Sequence, residues 1–144
     1  MVDQNCAYCM EGELVAKFGI KICELETSKV YLFKEQSHPG RCIVAHKKHV
    51  GDMNELTAEE RAAYFEDVAR VARAIMKAFN PDKVNYGAYG DTGHHLHFHL
   101  CPKYKDEYEW GGVFLMNPDK KYLTDEEYAC LLYTSDAADE GLGV

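Results

Sequence analysis

The sequence predicts a single α+β domain, in which an antiparallel sheet of about five strands is covered by one long helix and a C-terminal helix. Three observations lead to this fold class. Short segments rich in β-forming residues recur between turn residues in the first fifty positions. The segment 57–79 has the apolar spacing of an amphipathic helix. Near residue 95, histidines alternate with apolar residues, which is the period of a strand.

Length and composition limit the classes of function. The chain has 144 residues, 47% of them apolar, which is enough for one well-formed core. The net charge is −8 and no predicted element carries a cluster of Lys or Arg, so we expect no nucleic-acid partner. No apolar run approaches the roughly 18 residues of a membrane span, and the N-terminus does not have the pattern of a secretory signal. We therefore expect a cytoplasmic protein without a membrane partner, whose six cysteines are thiols or metal ligands.

The strands of the predicted sheet follow from β-forming residues and from the turns between them. The four predicted strands outside the histidine segment are 15–25, 29–33, 41–45 and 83–89. Pro39-Gly40 is a turn signal between the second and third of these strands, which indicates an antiparallel meander. The turn at 90–93 leads from the fourth strand into the histidine segment.

Two capping boxes predict where helices begin. Thr57 and Glu60 form the first, and Asn80-Pro81 ends the long helix that follows. Thr124 and Glu127 form the second, at the start of a C-terminal helix. The apolar stripe of the long helix, which we expect to face the sheet, consists of Tyr64, Val68, Val71, Ile75 and Phe79.

The C-terminal tail differs in character from the rest of the chain. The helical pattern decays after Ala129, and the string that follows resembles the translation of a sequencing-library adapter. We therefore divide the chain into a domain at 1–129 and a tail at 130–144. The tail is expected to pack poorly, and Cys130 is given no functional role.

The segment 93–102 carries the strongest chemical signal. His95, His97 and His99 occupy alternate positions, so on a strand their imidazoles share one face. The residues between them, which would anchor the other face in the core, are Leu96, Phe98 and Leu100. A purely structural role is disfavoured because such clusters usually bind metal or serve phosphate chemistry. A neutral imidazole can attack phosphorus or exchange a proton near neutral pH.

The pair Cys6-Ala7-Tyr8-Cys9 is a candidate zinc motif, since two thiolates from one turn can reach the same ion. A redox role is disfavoured because no βαβ pattern surrounds the pair. Two thiolates alone do not complete a zinc site, so two further ligands must come from elsewhere in the chain.

The run His95-Leu96-His97-Phe98-His99-Leu100-Cys101 resembles the motif of the HIT (histidine triad) family, His-φ-His-φ-His-φ-φ with φ apolar. Pro102 follows where the family often has proline, and the resemblance covers about residues 6–117. It implies a hydrolase that cleaves at the α-phosphate of a nucleoside phosphoramidate or a similar nucleotide conjugate. The expected partner is a purine nucleotide, with adenosine favoured. The family also implies a homodimer.

The resemblance implies a covalent mechanism for the two later histidines. His97 attacks the α-phosphorus, and water then releases the nucleoside monophosphate from a nucleotidyl-histidine. A backbone carbonyl is the expected partner of its second ring nitrogen, which leaves the attacking nitrogen unprotonated. His99 hydrogen-bonds the phosphate or protonates the leaving group. No metal is needed for this chemistry.

The resemblance also implies nucleotide-binding residues. Asn85, Asp91 and Thr92 fall at the places of residues that touch the phosphate. Asp91 stands where glutamine is common, and a role in an Asx turn is equally open for it. Glu35 is the nearest match to an acidic residue that meets the ribose hydroxyls.

In zinc-bearing relatives, a Cys-x-x-Cys pair, a histidine after the third strand and the first triad histidine hold the ion. Carried over to this chain, the ligands are Cys6, Cys9, His49 and His95, which would form a closed and structural zinc site. His46 and His94 are alternatives for the last two ligands.

Three other functions remain open from the sequence. One is a dinucleoside polyphosphate hydrolase or phosphorylase. Another is a non-catalytic sensor that binds AMP, although the intact His97 weighs against it. The third is a zinc-buffering protein in which all three triad histidines join the cysteines.

Overall fold

A five-stranded antiparallel sheet forms the centre of the computed structural model, which describes residues 3–139, with 134–139 as backbone only. The strands are β1 (Gly19–Glu24), β2 (Ser28–Phe33), β3 (Cys42–His46), β4 (Lys83–Gly87) and β5 (His97–Lys103). Their order across the sheet is β1-β2-β3-β5-β4, and every neighbouring pair is antiparallel. The predicted fold class and the meander of the first three strands are thus confirmed.

Helices cover both faces of the sheet. They are α1 (Ala7–Met10), α2 (Gly12–Ala16), α3 (Ala58–Phe79) and α4 (Asp125–Asp139), with a 3₁₀ turn at Met53–Glu55. The predicted capping box starts α3, because Thr57 Oγ1 accepts from the Glu60 amide at 3.1 Å and the Glu60 carboxylate accepts from the Thr57 amide at 2.8 Å. Asn80 ends the helix in the left-handed conformation.

The two faces of the sheet have different partners. On one face, the apolar stripe of α3 packs against strand residues such as Val30, Val44 and Leu100, which forms the main core. The opposite face carries a smaller cluster in which Tyr8 and Val15 from the N-terminal helices pack against Tyr31 and other strand residues. Because side chains alternate along β5, its histidines lie on this second face.

Two predicted strand boundaries were wrong. The segment 15–25 begins as helix α2, whose Val15 is buried in the smaller cluster, and the strand starts only at Gly19. The histidine strand begins at His97, and His95 lies in a bend before it. The chain bends there because Leu96 bonds two separate partners: its amide donates to Val50 O at 2.7 Å, and its carbonyl accepts from the His46 amide at 3.0 Å.

The C-terminal helix is longer than the sequence pattern indicates. It begins with the predicted capping box at Thr124 and continues through Asp139, past the expected decay at 129. Leu131 and Leu132 are half-buried against the main core, so poor packing does not begin at residue 130. Residues 140–144 lie outside the described part of the chain, and the division of the chain at 129/130 stays a prediction.

Two simpler expectations concern cysteines and membranes. No disulfide bond links cysteines within residues 3–139, in agreement with the expected thiol or ligand roles. Among the described helices, none has the length and apolar character needed to cross a bilayer.

Candidate functional site

Four side chains from three separate parts of the chain converge beside the triad. Cys6 caps the single turn of α1 and Cys9 lies within it, which turns both sulfurs to the same side. His49 follows β3 and His95 precedes β5, so antiparallel pairing of these strands brings the two imidazoles together. One ligand atom of each residue lies within 4.8 Å of every other. We call these four residues the Cys–His group.

The Cys–His group has the dimensions of a tetrahedral zinc site. Zinc–sulfur and zinc–nitrogen bond lengths place neighbouring ligand atoms at about 3.3–3.8 Å from one another. His95 Nδ1 lies 3.2 Å from Cys6 Sγ, 3.6 Å from Cys9 Sγ and 3.0 Å from His49 Nδ1. Cys9 Sγ and His49 Nδ1 are 3.2 Å apart. Two thiols and two imidazoles at these separations fit zinc in both donor chemistry and size.

The hydrogen bonds of His95 fix the nitrogen that it offers to the Cys–His group. Its Nε2 donates to His46 O at 2.6 Å, so Nδ1 carries the lone pair that faces the thiols. Burial lowers the pKa of His95 to about 4, so the ring is neutral at physiological pH. Burial also raises the pKa of the Cys6 thiol, which a coordinated divalent cation would reverse.

The two alternative ligands lie outside the group. His46 points to the helix side of the sheet, where its ring packs against Tyr64 and its Nδ1 accepts from the Lys48 amide. His94 is exposed, with its ring against Gly51. The structure therefore brings together the ligand set that the resemblance implies, and the two alternative histidines are not part of it.

The hydrogen bonding of His97 leaves one of its ring nitrogens unprotonated. Its Nδ1 donates to His95 O at 2.7 Å, which is the backbone carbonyl partner that was expected. The lone pair therefore lies on Nε2, which makes no hydrogen bond to any residue between 3 and 139. The side chain is only 8% exposed, and burial lowers its pKa, so the ring is neutral at pH 7.

His99 lies next to His97 on the same face, with ring centroids 5.3 Å apart. Its Nδ1 accepts a hydrogen bond from Arg41 Nη2 at 3.0 Å. Burial, together with the positive charge of Arg41, lowers the pKa of His99 to about 2. We call His97 and His99 the cleft pair, and we use the word cleft for the part of this sheet face around their rings.

Arg41 was missed by the sequence analysis, where it was assigned only to a strand. The residue is fully buried, and its guanidinium also donates to Leu115 O and Met116 O at 3.1 and 3.0 Å. It lies over the ring of Phe33, with its central carbon 4.1 Å from the centroid. The signal available in the sequence was a charged residue that directly precedes an otherwise apolar strand.

Tyr8 connects the Cys–His group with the cleft pair. Its ring centroid is 5.3 Å from that of His95 and 5.1 Å from that of His97. Because Tyr8 belongs to α1, the turn that carries the two cysteines also packs against the triad.

Asn85 shares the face of the cleft pair. It pairs with Cys101 across β4 and β5, which places it diagonally from His99, about 7–8 Å away in such a ladder. The side chain is half-buried and also lines a surface pocket of about 330 Å³ with Lys103 and the loop residues Trp110 and Gly111, and neither His97 nor His99 lines this pocket. Asn85 is therefore close to the cleft pair, as a phosphate-binding role requires.

The turn before the triad lies against His97. An ideal Cβ built on Gly93 would lie 3.4 Å from His97 Cε1. Asp91 and Thr92 precede it and are exposed, and neither side chain bonds another residue of the described chain. The Thr92 hydroxyl thus has no partner among the described residues, one position before the glycine that lies against His97, and an Asx turn at Asp91 is not formed.

The carboxylate of Glu35 bonds groups of the protein itself rather than standing free for ribose hydroxyls. Its carboxylate accepts four hydrogen bonds at 2.7–2.9 Å, from the amide and hydroxyl of Ser37 and from the amides of Lys120 and Lys121. Four bonds fill the acceptor capacity of a carboxylate, and the residue is 3% exposed. Glu35 therefore holds two loops together, and its role in ribose binding stays a prediction.

The chain is similar to proteins that carry a histidine triad. "Protein hit" of Bacillus subtilis is 28% identical over 123 residues, which cover 81% of this chain and 83% of that protein. The adenosine 5′-monophosphoramidase hnt1 of Schizosaccharomyces pombe is 28% identical over 116 residues, covering 74% of this chain and 80% of that protein.

A crystal structure of a histidine triad protein from Marinobacter aquaeolei superposes with a TM-score of 0.82 at 22% identity, covering 92% of this chain and 96% of that one. This likeness supports the fold. The HIT domain family model matches residues 19–106, which include β1 to β5 and the triad, and the chain therefore belongs to the HIT domain family.

Proposed function

We propose that this chain is a nucleotide hydrolase that cleaves at the α-phosphate of a nucleoside phosphoramidate or a similar nucleotide conjugate. The observation that carries the proposal is the hydrogen bond from His97 Nδ1 to His95 O, at 2.7 Å. It leaves a neutral Nε2 lone pair beside His99, which is the state that attack on phosphorus requires.

The reaction proceeds in two displacements. In the first, His97 Nε2 forms a bond to the α-phosphorus as the bond to the leaving group breaks, and the electron pair departs with that group. In the second, water attacks phosphorus and loses a proton to solvent, the electron pair of the phosphorus–nitrogen bond returns to His97 Nε2, and the nucleoside monophosphate is released. The retained Nδ1–H bond to the backbone carbonyl stabilises the positive charge that the nucleotidyl-imidazole carries.

Neutral donors around the cleft bind the phosphate in this proposal. Asn85 lies on the face of the cleft pair, Thr92 directly precedes the glycine that lies against His97, and both side chains can donate to phosphate oxygens. The buried Arg41 supplies a positive charge behind His99. The Asp91 carboxylate would oppose an anion, so we give it no part in binding.

The test is intact-protein mass spectrometry after mixing with adenosine 5′-phosphoramidate. We expect a transient mass increase of one adenylyl group, located on His97 by peptide mapping, together with release of AMP. His97→Ala should lose both, and the matched control His94→Ala, an exposed histidine outside the Cys–His group, should keep both. Tight AMP binding without adduct or turnover would overturn the proposal in favour of a nucleotide sensor.

We also propose that Cys6, Cys9, His49 and His95 hold one structural zinc ion. Bound there, the ion would tie the N-terminal turn to the triad and would take no part in the displacement. The support is the donor set and its separations of 3.0–3.6 Å. Metal analysis should give one zinc per chain in the wild type and less than one in Cys9→Ser, whereas His97→Ala should retain it.

We also propose that the protein forms a homodimer and acts in the cytoplasm. Strand β4 is the last strand of the sheet, and Tyr86 on it is 52% exposed. Nearby, Val113 and Leu115 are also exposed, which leaves an apolar edge that a second copy could cover. Sedimentation of the wild type should give a dimer, and Tyr86→Lys should shift it toward monomer.

A further inference from the structure

The hydrogen bond between Arg41 and His99 determines where the proton of His99 sits. A guanidinium group has five donors and no acceptor, and it stays protonated in proteins. Arg41 Nη2 lies 3.0 Å from His99 Nδ1, so Nδ1 accepts and carries no proton. A neutral imidazole has one N–H group, and in His99 it must therefore be on Nε2.

This tautomer permits one of the two roles open to His99 and opposes the other. A ring with its proton on Nε2 can donate a hydrogen bond to a phosphate oxygen. If that proton were transferred to a leaving group, an imidazolate would remain, which is far too basic an anion. A doubly protonated ring would instead place an N–H on Nδ1 against the guanidinium, with two positive charges in contact.

The surroundings of Arg41 prevent the guanidinium from turning away. Its two terminal nitrogens are held by Leu115 O and Met116 O, and the rings of Phe33 and Phe114 lie 4.1 and 4.9 Å from its central carbon. Its Nε is buried and has no hydrogen-bond partner among the described residues.

No carboxylate within residues 3–133 pairs with Arg41 at 4 Å or less. Glu35 and Glu109 interact with Arg41 only at longer range, and their carboxylates are bonded to loop amides and to His38. The positive charge is therefore directed mainly at His99.

We propose that Arg41 is a positioning residue that keeps His99 a neutral hydrogen-bond donor to the phosphate, so that the leaving group must depart without a proton from His99. This proposal rests on the proposed function and narrows its substrate class to conjugates whose leaving group needs no proton from the protein, so that phosphoramidates are expected to be the slower substrates. Conjugates whose leaving group departs as a stable anion, such as phosphoanhydrides and aryl esters of a nucleoside monophosphate, should react faster than alkylamine conjugates.

With an aryl ester as substrate, His97 Nε2 bonds to phosphorus, the phosphorus–oxygen bond to the aryl group breaks, and the aryloxide leaves with the electron pair. Protons on His97 Nδ1 and His99 Nε2 stay where they are, and solvent later protonates the aryloxide. An alkylamine must instead be protonated before it leaves, and His99 has no proton to give.

The first test reads the tautomer of His99 directly. Long-range ¹H–¹⁵N spectra of the ¹⁵N-histidine-labelled full chain at pH 7.5 should show unprotonated Nδ1 and protonated Nε2 for His99, assigned by loss of the signals in His99→Gln. Arg41→Met should remove this fixed pattern. The control Arg61→Met removes a guanidinium that bonds backbone carbonyls on the helix side of the sheet, and it should leave the pattern unchanged. Protonated Nδ1 in the wild type would overturn the proposal.

The second test separates hydrogen bonding from proton transfer in turnover. A glutamine amide can donate a hydrogen bond but cannot act as an acid, so His99→Gln should keep kcat/KM within about tenfold for adenosine 5′-(4-nitrophenyl phosphate). His99→Ala should lose about 10²–10³-fold, as expected for removal of one charge-stabilising donor. In the wild type, an N-alkyl phosphoramidate should be slower by about 10²–10⁴-fold, the usual contribution of a missing general acid.

A different leaving-group dependence would contradict the inference. If His99→Gln lost about 10²–10⁴-fold more with the alkylamine conjugate than with the nitrophenyl ester, His99 would be a general acid. In Arg41→Met, a mere structural defect would slow both substrates equally, whereas release of Nδ1 should slow the nitrophenyl ester more. Failure to turn over any conjugate would reject the proposed function, while the tautomer measurement would still decide the role of Arg41.

Discussion

The Cys–His group and the cleft pair use histidines from the same five-residue stretch in opposite ways. His95 donates from Nε2 to a backbone carbonyl and presents Nδ1 to the two thiols. Two residues later, His97 donates from Nδ1 to a backbone carbonyl and keeps Nε2 for the cleft. Alternation along the strand decides which face an imidazole occupies, but the hydrogen-bond partner decides its chemistry.

The two groups also differ in how complete they are. The Cys–His group has four ligand atoms within 4.8 Å of one another, which is a full set for tetrahedral zinc and leaves no position for a substrate. The cleft pair has no protein partner on Nε2 of either ring within the described residues. This difference is the basis for proposing that one group serves structure and that the other carries out the chemistry.

The largest expected effects come from one substitution in each group, which should change activity in one case and thermal stability in the other. His97→Ala should lower adenylyl transfer by roughly 10⁴-fold or more, because the nucleophile is removed. Its melting temperature should change by only a few degrees. Cys9→Ser should instead lose the metal, which at a thousandfold excess over Kd stabilises by about 4 kcal/mol. For a chain of this size, that loss lowers the melting temperature by about 8–16 °C.

Both readouts should be taken on the same samples, by scanning calorimetry and by burst kinetics. Addition of a strong zinc chelator to the wild type should reproduce the thermal shift of Cys9→Ser. An equal thermal shift in His97→Ala, or an unchanged melting temperature in Cys9→Ser, would show that the assignment of structural and chemical roles is wrong.

The next largest effect is a pH dependence of the metal affinity of the Cys–His group. Burial raises the pKa of the Cys6 thiol, so without metal it is protonated at neutral pH and must lose its proton to bind. His95 has a pKa lowered to about 4, so it is already neutral and releases none. Metal affinity should therefore fall as pH decreases from 8 to 6, by about tenfold per unit for each proton released.

Calorimetric titration of the metal in buffers of different ionisation enthalpy measures this proton release. At pH 7, we expect the wild type to release at least one proton per zinc ion bound. No dependence on the buffer would mean that the thiols are already ionised, which the burial of Cys6 opposes.

Local patterns account for the features that the sequence predicted well. The capping box at Thr57 and Glu60 needs only four consecutive residues, and the structure forms both of its hydrogen bonds. The alternation of His97 and His99 with apolar residues likewise fixes a face without reference to the rest of the chain. These signals are short-range, so a single sequence contains them in full.

Features that depend on distant contacts could not be predicted in this way. The roles of Arg41 and Glu35 are set by loops some 75 to 85 residues later in the sequence. The bend at His95 results from bonds of Leu96 to residues near the end of β3. The four members of the Cys–His group were found only because the family resemblance supplied the long-range pairing.

The smallest expected effect concerns Tyr8, which links the two groups. Its ring contacts both His95 and His97, and such aromatic contacts contribute about 0.5–1.5 kcal/mol each beyond the buried area. Tyr8→Leu should therefore lower metal affinity and the rate of adduct formation together, each by about three- to tenfold. Tyr8→Phe keeps the ring and should change neither, because the hydroxyl bonds no residue of the described chain. A Tyr8→Leu variant that lost metal affinity but kept its rate of adduct formation, or the reverse, would show that Tyr8 does not couple the two groups.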